Sequence, residues 1–126
     1  IRILPNDTGK QQSIYNEENQ PAFFSRDAIL YLNERGVEHL IVDLPSIDRL
    51  NDDGLLTCHH LFWQVTEGTH QPGPNSQLHK TITELAYIAA EIEDGFYFVN
   101  LQLPAFVNDA APSRPVLYGA THLYEI

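Results

Sequence analysis

The sequence predicts an α/β domain, on three observations. A helix-patterned segment, Ser25 to Arg35, gives way after Gly36 to the apolar run Leu40-Ile41-Val42. Helix, glycine turn and buried strand in direct succession are the signature of α/β layering. Two later segments, Phe96 to Leu103 and Arg114 to Tyr118, have the make-up of further strands. The chain of 126 residues, 43% hydrophobic and 19% charged, is one globular domain's worth and supports a modest core.

Taken in order, Arg2-Ile3-Leu4-Pro5 has the look of the tail of a strand, and Asn6 to Pro21 is polar, without period, and expected as loop. Ser25 is a good N-cap, with Asp27 in the first turn where the macrodipole favours an anion. Ala28, Ile29 and Leu32 share one face, and Gly36 supplies the C′ stop, so a helix is predicted over 25–35. Glu38 to Asp43 is a buried strand by composition. Pro45 breaks it, Ser46 with Asp48 is turn-forming, and Asn51-Asp52-Asp53-Gly54 is a second turn. Leu55 to Val65 is expected to be helical, with Leu56, His60 and Trp63 on roughly one side. Thr66 to Lys80, crowded with Gly68, Pro72, Gly73, Pro74, Asn75 and Ser76, is a long surface loop. Thr81 to Ile92 suits either a helix or a strand followed by a turn. Asp94-Gly95 is a tight turn, and Pro104 to Ser113 a loop. There is no internal repeat and no low-complexity tract.

Charge and composition exclude several partners. A formal net charge of -10, from 17 acids against 7 bases, leaves no basic patch for a nucleic-acid phosphate backbone or an anionic lipid surface. No apolar run approaches the ~20 residues of a membrane span, and no signal peptide is expected. The single cysteine, Cys58, cannot form an intrachain disulfide, which favours a reducing compartment such as the cytoplasm. The chain starts at Ile1 and contains no methionine, which leads us to expect a piece of a longer polypeptide.

The residues able to do chemistry lie between His39 and Glu84. Adjacent His59 and His60 sit on one predicted helix, where neighbours point about 100° apart. One of them could ligate a divalent metal and the other act in acid–base chemistry, with Glu84 offering a carboxylate from another element. Asp43, at the C-terminal end of the buried strand, is either a functional acid or a cap for the Pro45-Ser46 turn, with Asp48 capping its far side. Arg114 either binds a substrate carboxylate or pairs with one of the many acids. Cys58 beside His59 is a small buried thiol in preference to half of a thiolate–imidazole pair. His70 is expected in a loop.

Together these pieces resemble the metal-dependent cyclase family, which includes bacterial kynurenine formamidase, and specifically the C-terminal half of a member. The matching features run in family order. They are Ala28 to Val37; His39-Leu-Ile-Val-Asp-Leu-Pro-Ser-Ile-Asp48, similar to the family's Gly-(Ile/Val)-Asp-x-Pro-Ser-x-Asp; Cys58-His59-His60; Thr83-Glu84-Leu85; Asp94-Gly95 leading to Phe98-Val99-Asn100-Leu101; and Ala111 to Leu117. The family's N-terminal His-x-Gly-Thr-His-x-Asp-x-Pro motif does not occur here. Thr66-Glu-Gly-Thr-His-Gln-Pro-Gly-Pro74 only imitates it, with Thr66 and Pro72 where a His and an Asp would stand.

The resemblance implies a mixed, barrel-like, cyclase-type sheet with flanking helices, incomplete over residues 1–126, which form the C-terminal portion of a single hydrolase domain. It implies His59 and Glu84 as metal ligands, with His60 the alternative to His59 and otherwise the catalytic acid–base group. The 24 residues between His59 and Glu84 exceed the family's usual spacing, and the Thr66–Lys80 loop absorbs the excess. The implied cofactor is Zn2+ or Mn2+, and the implied reaction is hydrolysis of an amide, formamide or lactone-like bond in a small-molecule substrate. The missing N-terminal half would be a partner, and a homo-oligomer would cover exposed sheet edges. A non-enzymatic binding or assembly module on the same scaffold is the competing expectation.

Overall fold

The computed structural model describes residues 1–105 and 107–120. His122 lies outside the described residues. The chain divides into two compact units, Ile1–Ala89 and Ala90–Ile126.

In the first unit, a short 3-10 helix, Thr8–Gln12, precedes helix α1, Arg26–Glu34. Ser25 caps α1 as its sequence demands, its side chain accepting from the Ala28 amide, and Gly36 takes φ +71° just past the end. Strand β1, His39–Ile41, comes next, then helix α2, Thr57–Trp63, and strand β2, Thr81–Thr83. β1 and β2 pair in parallel, His39 opposite Thr81 and Ile41 opposite Thr83. The intervening α2 supplies the crossover that parallel strands require. The ladder runs on past both strands, with Val42 N donating to Thr83 O and Ala86 N to Val42 O. Thr81 to Ile92 is thus a short strand and turns, the second of the two alternatives.

The core is built on the predicted buried strand and the turn after it. Leu40, Val42, Leu44 and Ile47 pack with Ile29 of α1 and Cys58 and Phe62 of α2, with Phe24, Trp63 and Ile82 at the margin. The strand itself stops at Ile41, yet burial continues to Asp48 through the Pro45 turn. That continuous apolar composition is what a segment covered on both faces requires.

Three local expectations are corrected. Arg2 to Pro5 is not a strand, because the Asp43 carboxylate, not a main-chain ladder, takes the Ile3 amide (2.9 Å). α2 is shorter than 55–65: the Asp52 side chain accepts from the Gly54 and Leu56 amides, and Leu56 turns left-handed (φ 49°) outside the helix. The buried residues of α2 are accordingly Cys58, His60 and Phe62, while Leu56 is exposed. Asn6 to Pro21, expected as loop throughout, includes the 3-10 turn at Thr8–Gln12.

In the second unit, strands β3, Tyr97–Asn100, and β4, Val116–Gly119, pair antiparallel; β3 lies within its expected segment, and β4 begins inside Arg114 to Tyr118 and runs one residue past it. Phe96, Phe98 and Tyr118 are exposed there. The architecture is α/β, with one parallel and one antiparallel two-stranded sheet and no closed barrel among the described residues. No described helix is long and apolar enough to cross a membrane.

Candidate functional site

Asp48 ends the buried run and meets α2 at its N-terminus. Leu56, at the N-cap position, has no side chain that can accept the first free amides of the helix. Asp48 does this from a distance: Oδ1 accepts from Cys58 N (2.6 Å) and Oδ2 from His59 N (3.3 Å). The same Oδ2 lies 2.7 Å from Nδ1 of His59. Burial alone would raise the Asp48 pKa, but the hydrogen bonds from the His59 ring and the two amides outweigh it and hold the carboxyl below its usual 3.8. An ionised carboxylate only accepts, so Nδ1 of His59 carries the proton.

The other ring nitrogen faces Glu84. Nε2 of His59 is 3.5 Å from Oε1 of Glu84, and that oxygen accepts from the Ile47 amide at 2.8 Å. Glu84 comes directly after β2. The next residue, Leu85, is left-handed (φ 57°) and exposed, its amide on Leu44 O. A bulky residue with positive φ is an uncommon and strained arrangement, of the kind that gathers at functional sites. The His59 ring is steadied by Trp63, 5.4 Å between centroids, whose Nε1 donates to Lys80 O (3.0 Å). Side-chain exposure rises from 5% at Asp48 through 14% at His59 to 27% at Glu84, so the pair opens toward solvent on the Glu84 side.

With Nδ1–H given to Asp48, a neutral His59 ring aims a lone pair at a carboxylate oxygen. Two acceptors facing each other at this distance need a proton or a cation between them. Two ligand atoms on one tetrahedral zinc, each about 2.0–2.2 Å from it, are about 3.4 Å apart, close to the observed separation. The pair therefore fits one edge of a metal site. Among the described residues no three His, Cys, Asp or Glu side chains gather as a ligand set.

The structure thus brings His59 and Glu84 together and sends His60 elsewhere. His60 is 6% exposed and its ring meets that of His70, 5.2 Å between centroids and edge-on. His70, expected as a loop residue, is one, but it packs back onto α2. His39 is exposed with Nδ1 3.0 Å from Thr81 Oγ1, and His79 is exposed. Arg114 is exposed before β4.

Asp43 fills neither expected role. Its side chain, 0% exposed, pairs with Lys10 Nζ at 2.7 Å and holds the Ile3 amide, so it fastens the N-terminal segment to the end of β1. Asp48 was expected only as a turn cap. The signal that could have identified it was a helix opening on Leu56, which must borrow its capping group.

Cys58 is a structural thiol. It is 4% exposed and Sγ donates to Phe24 O at 3.2 Å. Burial first, and then the adjacent Asp48 charge, push the thiol up to about 12. Its thiolate fraction at pH 8 is then about 10⁻⁴. Alkylation of the folded chain is expected to be about a thousandfold slower than in urea, and to rise about tenfold per pH unit from 8 to 11. Stopped-time iodoacetamide labelling with mass detection checks this; equal rates in folded and denatured chains would contradict it.

No protein-family profile matches the chain, and no curated protein or solved structure is significantly similar to it.

Proposed function

We propose that this chain is the C-terminal portion of a metal-dependent hydrolase of the cyclase or arylformamidase-like type, acting on an amide, formamide or lactone-like bond in a small molecule. The observation that supports this most is the convergence of His59 Nε2 and Glu84 Oε1 at 3.5 Å, with the opposite ring nitrogen fixed on Asp48. A divalent cation held there, Zn2+ or Mn2+, would supply Lewis-acid polarisation of a carbonyl and a more acidic water. His59 and Glu84 would hold it, and ligands from outside these 126 residues would complete the set. Glu84 is kept in place by the Ile47 amide, and the ring of His59 by Trp63 and Asp48. His60, buried against the His70 ring and turned away from the His59–Glu84 pair, is left without a proton-transfer role in this scheme. The fuller architecture is a barrel-like mixed sheet completed by the N-terminal half or by a further copy in a cytoplasmic homo-oligomer.

A second reading is favoured by one specific feature. An imidazolium clamped between Asp48 and Glu84 would satisfy the same geometry without a metal, as a strut in a non-enzymatic binding module. Calorimetric titration with Zn2+ or Mn2+ separates the two. One weak site is expected, since the chain offers two of the three or four usual protein ligands. The His59→Ala, Glu84→Ala double variant is expected to lose at least about tenfold in affinity. An unchanged affinity in that variant would leave the strut as the correct reading.

A further inference from the structure

One buried carboxylate serves two tasks here. Asp48, 4% exposed, closes the first turn of α2 through the Cys58 and His59 amides and also holds the His59 ring at Nδ1. The N-cap residue Leu56 makes no side-chain hydrogen bond, so the cap of that turn comes from Asp48. The ring's orientation and the closure of the helix therefore depend on the same two oxygens.

We propose that Asp48 couples cation capture at His59 to closure of the α2 N-terminus, each tightening the other. The inference rests on the metal reading above and deepens it by naming the element that the ion would regulate. A cation drawing on the Nε2 lone pair makes Nδ1–H a stronger donor, so the bond to Asp48 shortens and strengthens. A carboxylate fixed on the ring is fixed for the two amides as well. An ion that binds only when the ring is so held stabilises the closed turn against the open one. By reciprocity, opening the turn weakens the ion's hold by the same factor. Cys58 reports the closed state, because it lies in the first turn of α2 with its amide on Asp48.

The test is amide hydrogen exchange by NMR on the full 126-residue chain, with and without Zn2+. Wild-type exchange at Cys58 and His59 is expected to slow about threefold or more with Zn2+, while the Ile29 amide in α1 is unchanged. In Asp48→Asn, Zn2+ affinity falls about tenfold or more and the added protection disappears even at saturation. Asp48→Glu, which keeps the charge, recovers part of both. Should Asp48→Asn fail to fold, His59→Gln leaves the cap in place, and Zn2+ then gives no protection. Protection by Zn2+ that persists in Asp48→Asn overturns the coupling while leaving the metal site standing, and protection that persists in His59→Gln overturns the site and the coupling together. No Zn2+ binding by the wild type overturns the metal site itself, and the coupling with it.

Discussion

Replacing Lys10 by methionine is expected to destabilise the folded chain by about 3–5 kcal/mol, the usual cost of stripping one partner from a buried ion pair. Lys10 Nζ lies 2.7 Å from Oδ2 of Asp43 and 2.6 Å from the carbonyl of Ile3. The two side chains are 12% and 0% exposed, so little water is at hand to take over. Methionine keeps the stem's volume and removes the charge that faces the Asp43 carboxylate, which keeps its bond from the Ile3 amide. Adding Asp43→Asn to Lys10→Met is expected to recover a large part of the loss, because the orphaned charge is gone while the acceptor for Ile3 N remains. Urea unfolding of both single variants and the double variant measures this directly. Equal stabilities for wild type and Lys10→Met would show that the pair is not held as described.

Phe62→Ala is expected to cost a similar amount, about 3–5 kcal/mol, by a different route. Phe62 is 0% exposed and anchors α2 among Ile29, Val42 and Ile47. Its ring also lies 4.8 Å from the Lys80 ammonium, which is bonded to Asn33 Oδ1. Truncation leaves a cavity and removes the ring face from a nearly buried cation. Phe62→Leu keeps most of the volume and is expected to cost clearly less. Position carries the effect into function, since the helix that Phe62 anchors bears His59. The alanine variant is expected to lose cation binding together with stability, and thermal unfolding with and without Zn2+ detects both. A loss under about 1 kcal/mol would mean that the core does not rest on this ring.

Those elements whose causes are local were legible in the sequence. Ser25, Asp27 and Gly36 lie within or beside the helix they delimit, and the buried run of Leu40 to Val42 shows in its composition. The convergence of His59 with Glu84 was expected from resemblance, and the structure places the two atoms on facing sides of a shared gap. Tertiary choices were not legible. Nothing near Asp43 in the chain announces Lys10, 33 residues away, and nothing near Leu56 announces that its cap comes from Asp48. The N-terminal limit of α2 is set by the Asp52 side chain, which takes the Leu56 amide, an interaction that helical periodicity does not register. His60 was paired with His59 by adjacency, yet a helix turns neighbours apart, and His60 finds His70.

Crystals of the chain soaked in Zn2+ and measured at the zinc absorption edge put the metal assignment to direct trial. The expected result is an anomalous peak about 2.0–2.2 Å from both Nε2 of His59 and a carboxylate oxygen of Glu84, with Nδ1 still on Asp48. A peak only at exposed His39 or His79, with the His59–Glu84 gap unchanged and bare, would contradict it.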